Sequence, residues 1–85
     1  MGLYVVEYLR DPAPSEQDET AQAAHFARCL AVYEVRWVSR LRARDGKRAL
    51  CVFEAESKER VLTAHRSSDL PFTAMWPADQ EPIPP

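Results

Sequence analysis

A strand that is apolar on both faces needs two covers, and the stretch Lys47–Ala55, Lys-Arg-Ala-Leu-Cys-Val-Phe-Glu-Ala, has that pattern. Strand side chains alternate in direction, so Ala49, Cys51 and Phe53 point one way and Leu50 and Val52 the other. A chain of 85 residues is one domain, near the lower size at which apolar burial supports a fold. Its own helices supply one cover. The other is expected from a second copy of the chain.

The remaining elements are read in order. Leu3–Leu9 is a strand by its β-branched and aromatic content, apolar on both faces apart from Glu7. Pro12 and Pro14 end it, and Ser15 followed by Asp18 makes a capping box with the shorter acid, which predicts a helix over about 16–32. Ala21, Ala24, His25, Ala27 or Arg28, Cys29, Leu30 and Val32 carry its apolar stripe. In Val35–Arg44, regular alternation sets Val35, Trp37, Ser39, Leu41 and Ala43 against Arg36, Val38, Arg40 and Arg42. Asp45-Gly46 predicts a tight hairpin turn into Lys47–Ala55. Ser57 caps a second helix, with Val61, Leu62, Ala64 and His65 as its inner face, ending near Ser67-Ser68-Asp69. Phe72–Trp76 is the last strand.

The order β, α, β, β, α, β is the split βαβ arrangement of ferredoxin-like α+β folds. It predicts a four-stranded antiparallel sheet in the order 4-1-3-2 with both helices on one face. The two doubly apolar strands are then central, and the uncovered face is an interface in waiting. Two such sheets facing each other across a two-fold axis close a dimeric α+β barrel. The domain spans residues 1–77, followed by a Pro-rich tail over 78–85.

No apolar run approaches the roughly 18 residues a membrane span needs, and the amino terminus lacks a basic leader, so a cytoplasmic location is expected. The net charge of −2 gives no global field for nucleic acid. The basic residues crowd one hairpin, Arg36 to Arg48, where alternating arginines keep a strand solvated or dock an acidic partner. The only glycines are Gly2 and Gly46, so there is no phosphate-cradling loop and no nucleotide cofactor is expected. Cys29 and Cys51 lack a CxxC spacing and read as reduced, packed thiols.

Val35-Arg36-Trp37, the Asp45-Gly46 turn, Cys51-Val52-Phe53-Glu54-Ala55, Ala64-His65-Arg66 and Leu70-Pro71-Phe72 occur in an order that resembles a family of small bacterial domains of unknown function, one that includes nickel-binding-like proteins. The resemblance implies a ferredoxin-like dimer and, for some members, a metal, nickel first among them. The chain departs from the family in carrying Phe53 where tyrosine is usual and Ser67-Ser68-Asp69 where a basic, glycine-containing turn is common.

Four residues are the candidates for a metal or ligand site: His65, late on an inward helix face, Cys51, Glu54 and Glu7. An alternative pair, His25 and Cys29, stands at i, i+4 on one helix face. Parity sets Cys51 and Glu54 on opposite faces of one strand, and the register of Glu7 against Glu54 is open. Arg40 is an available partner for either acid. The leading reading is a small dimeric ligand-binding protein, with nickel or another divalent metal as the ligand the resemblance suggests. The alternatives are a cofactor-free isomerase or monooxygenase-like enzyme with its cavity in the barrel, and a non-catalytic regulatory dimer.

Overall fold

The computed structural model describes residues 1–85. The elements are β1 (Gly2–Leu9), α1 (Glu16–Val32), β2 (Arg36–Arg42), β3 (Arg48–Ala55), α2 (Lys58–Ser67) and β4 (Ala74–Ala78). The four strands form one antiparallel sheet in the order β2-β3-β1-β4, which is the expected 4-1-3-2 read from the other edge. This is the ferredoxin-like α+β arrangement. No helix is long and apolar enough to cross a membrane.

Local chemistry starts and stops both helices. The Ser15 hydroxyl accepts from Asp18 N–H at 3.1 Å, and the Ser57 hydroxyl accepts from Arg60 N–H at 3.4 Å. Each helix ends in a Schellman closure around a non-glycine residue: Glu34 and Asp69 take φ of 58° and 54°, while Val35 N–H reaches Leu30 O and Leu70 N–H reaches His65 O, both at 2.9 Å.

The core lies between the helices and one sheet face. Val6 and Tyr8 of β1 and Ala49, Cys51, Phe53 and Ala55 of β3 pack against Phe26 and Leu30 of α1 and Val61 and Ala64 of α2. The stripe expected for α1 is rotated. Its buried residues are Glu19, Phe26 and Leu30, whereas Ala21, Ala24 and His25 are exposed. Phe26 sets that rotation because it carries the largest apolar surface on the helix, and its ring lies 5.3 Å from Trp37, 5.7 Å from Phe53 and 4.8 Å from His65.

The regular alternation read for β2 is also corrected. Trp37 pairs with Phe53 and Ser39 with the next residue, Val52, so Val38 is the extra residue of a bulge. The bulge swaps every later face. Trp37, Arg40 and Arg42 lie on the helix side, and Arg36, Ser39 and Leu41 lie on the open side, opposite Glu54, Val52 and Leu50. The following turn is longer than a two-residue hairpin. Gly46 N–H bonds Ala43 O at 2.9 Å, with Gly46 at φ 76°, where a side chain would be strained.

The last strand begins later than the sequence pattern suggests, at Ala74, because Phe72 leaves the ladder to pack beside the core and pairing opens with Thr73 N–H on Glu7 O at 2.8 Å. It runs through Pro77 to Ala78, one residue past the expected domain end. Proline is tolerated there because β4 is an edge strand.

The other sheet face has no helix over it. Leu3, Val5 and Leu9 of β1, Leu41 of β2, Leu50 and Val52 of β3 and Trp76 of β4 share it. Leu9 is 56 % exposed, Leu41 65 % and Trp76 41 %.

Candidate functional site

The helix side carries the polar chemistry, at the end of the sheet where β1 leaves it. Three guanidinium groups meet one carboxylate there. Glu19 Oε1 accepts from Arg10 Nη1 at 3.0 Å and from Arg40 Nη2 at 2.6 Å, and Oε2 accepts from Arg42 Nη1 at 3.1 Å. The bulge at Val38 makes this possible by turning Arg40 and Arg42 toward α1. Burial pushes the Glu19 carboxyl up, but the hydrogen bond and charge of Arg10, then the charges of Arg40 and Arg42, outweigh it and hold the group below the ordinary glutamate value.

Beside this cluster opens a pocket of about 110 Å³, walled by Phe26, Trp37, Leu70 and Pro71 and by Arg10, Arg40 and Gln22. Arg10 and Trp37, which both line this pocket, carry three buried donors with no hydrogen-bond partner: Nε and Nη2 of Arg10 and Nε1 of Trp37. The Trp37 N–H lies beside the Cys51 thiol, but sulfur is a weak acceptor and the donor stays unspent. Arg40 rests 5.6 Å over the Trp37 ring, a cation–π contact that adds to the positive wall.

Behind the pocket runs a buried chain of hydrogen bonds. His65 Nδ1–H donates to Val61 O at 2.7 Å, which leaves Nε2 to accept the Tyr8 hydroxyl proton at 2.7 Å. Burial drives the imidazole toward its neutral form, more than the Val61 bond restores it. Burial first, and the neighbouring Cys51 second, push the Tyr8 hydroxyl far up. Burial likewise pushes the Cys51 thiol up, so it stays protonated and unreactive.

The residues singled out from the sequence separate into four places. His65 is 1 % exposed and both of its ring nitrogens are spent. Cys51 shares the helix side with it. Glu7 and Glu54 do lie on one face, the open one, but Glu7 sits opposite Leu50 and Glu54 opposite Leu3, about 13 Å apart along the strands. Glu54 is paired with Arg36 at 3.1 Å and not with Arg40, because the bulge sends Arg40 to the other side. Glu7 makes no ion pair within the chain. His25 Nε2 and Cys29 Sγ approach to 4.0 Å on the outer part of α1. No three His, Cys, Asp or Glu side chains converge on one point in the subunit.

Arg10, Glu19 and the indole N–H of Trp37 are absent from the candidates drawn from the sequence. Glu19 reads as a helix-dipole acid, and its spacing from Phe26 at i, i+7 was the signal that it shares the buried stripe.

The split βαβ order, the single antiparallel sheet and a largely apolar pocket beside α1 define a small ferredoxin-like α+β domain with one helix-covered and one open sheet face. Within that class the chain belongs to the nickel responsive protein SCO4226-like family, whose model matches residues 4–77. No curated protein matches it.

Proposed function

We propose that the protein is a homodimeric binding protein that holds a small ligand in the pocket beside Arg10 and Trp37. The observation that carries this reading is the set of three buried, unpartnered donors in a largely apolar concavity. Each such group costs about 1–3 kcal/mol when left unmatched, and a ligand acceptor removes that cost. Binding is favoured over catalysis because the groups behind the pocket are occupied. His65 has no free nitrogen to act as a base, and the Cys51 thiol and Tyr8 hydroxyl are both held protonated.

The open face supports the dimer. Leucines, valines and a tryptophan spread across all four strands form a patch of the kind monomers rarely leave in water, and a second copy facing it closes an α+β barrel. Protein-detected NMR of the indole N–H resonances with a mixture of neutral and charged fragments tests the binding reading. A fragment that moves the Trp37 indole N–H resonance supports it, and a screen in which none does so removes it.

A second reading, nickel binding, is favoured by the family's description and by the His25–Cys29 approach of 4.0 Å. Imidazole and thiolate suit nickel, and the remaining donors would come from water or a second subunit. Calorimetric titration of metal-free, untagged protein decides it. Heat that disappears in His25→Ala supports the pair, and the absence of heat in the parent protein sinks it.

A further inference from the structure

We infer that the pocket beside Arg10 recognises the carboxylate of a small apolar organic acid, an inference that rests on the ligand-binding reading above. Charge is the first argument. Arg10, Arg40 and Arg42 find their only ion-pair partner in Glu19, so three cations share one anion and a second anion is called for at the same place. Glu16 lies near the outer side of the cluster but makes no ion pair with it.

Donor geometry is the second argument. Arg10 spends Nη1 on Glu19, which leaves Nε and Nη2. Those two N–H groups form the side of the guanidinium fork that grips a carboxylate through two parallel hydrogen bonds. This edge is shielded from water, where a charge-assisted bond counts for more than on the surface. The Trp37 N–H is a further donor at the same pocket.

Size and wall chemistry give the third. Phe26, Trp37, Leu70 and Pro71 make an apolar wall, and the volume of about 110 Å³ is somewhat below the roughly 150 Å³ that accommodates benzene. The body of the ligand is therefore a short branched chain, or a single ring reaching toward the open mouth.

Benzoate, its neutral isostere benzamide and inorganic phosphate are the probes, titrated by calorimetry and by NMR of the two indole N–H resonances. Benzoate is expected to move the Trp37 resonance, to leave Trp76 on the opposite face unmoved, and to bind at least tenfold tighter than benzamide or phosphate. Arg10→Lys keeps the charge but loses the two-pronged edge, and is expected to weaken benzoate tenfold or more. Trp37→Phe removes the indole donor without touching Glu19 and is expected to weaken it several-fold, which keeps the test intact if Arg10→Lys does not fold. Benzamide or phosphate binding as tightly as benzoate overturns the carboxylate assignment and leaves the ligand-binding reading standing. Benzoate affinity unchanged in both variants overturns the assignment to this pocket. A Trp37 resonance that no probe and no fragment moves overturns both readings.

Discussion

The Tyr8 hydroxyl donates to His65 Nε2 across 2.7 Å and so ties the central strand β1 to helix α2, through an imidazole whose other nitrogen already donates to Val61 O. Both side chains are buried, so this bond exchanges with no water. Tyr8→Phe keeps the ring and deletes only the donor, leaving a buried acceptor unmatched. The expected loss is about 1–3 kcal/mol of unfolding free energy. Urea denaturation checks it: the midpoint should fall while the slope stays constant, since the surface exposed on unfolding is unchanged.

His65 and Glu19 make stability depend on pH in the same direction. Each has a folded value below its ordinary value of 6.5 or 4.5, so the unfolded chain takes up a proton before the native one does. The contribution of each is complete above the ordinary value and is lost as pH falls. Tm is therefore expected to decline in two stages, the first beginning below 6.5 and the second below 4.5. His65→Gln should remove the upper stage and Glu19→Gln the lower. Glu19→Gln should also lower stability near neutrality by about 2 kcal/mol, because three arginines then face an uncharged amide. An upper stage that persists in His65→Gln would show that another group causes it.

What the sequence made legible was what local patterns carry. Ser15 and Ser57 announced both helix starts, alternation announced the strands, and the doubly apolar Leu3–Leu9 and Lys47–Ala55 segments put themselves at the centre of the sheet. The bulge at Val38 left no such trace. Valine suits a regular strand as well as a bulge, yet one extra residue reverses the facing of Arg40 and Arg42 and so decides where the polar site forms. The rotation of α1 was hidden by its many small residues, whose apolar stripe competes with the one through Phe26. Parity set Glu7 with Leu3 and Val5 and Glu54 with Leu50 and Val52, but whether those faces coincide, and how far apart the two acids lie, depends on register, which only the ladder supplies. Arg10 and Glu19 come from a loop and a helix nine positions apart, and only the tertiary fold brings them together.

The two helix ends offer a stabilising substitution. Glu34 holds φ at 58° with no glycine freedom, in a position where the left-handed region strains a side chain. Its ion pair to Arg60, at 3.5 Å with the glutamate 81 % exposed, offsets little of that strain. Glu34→Gly is expected to raise unfolding free energy by about 0.5–1 kcal/mol, the relieved strain exceeding the added freedom of the unfolded chain. A rise in Tm of a few degrees is the measurement. Asp69→Gly should gain less, because aspartate tolerates the same conformation better.

The open sheet face makes the assembly testable through one residue. Val52 lies near the middle of that face, paired with Val5 on one side and Ser39 on the other. It is only half-buried within the subunit, so a longer side chain has room in a lone chain. Val52→Arg is therefore expected to leave the monomer fold intact, with unchanged circular dichroism, while placing an unpaired charge in a sheet-to-sheet contact, where it costs several kcal/mol. Light scattering coupled to size exclusion should give twice the chain mass of 9.7 kDa for the parent protein and the chain mass for the variant. A dimer that survives Val52→Arg would have to be built on another surface. A parent protein that runs as a monomer would leave the leucines at 9 and 41 and Trp76 in water, which the apolar area of this face argues against.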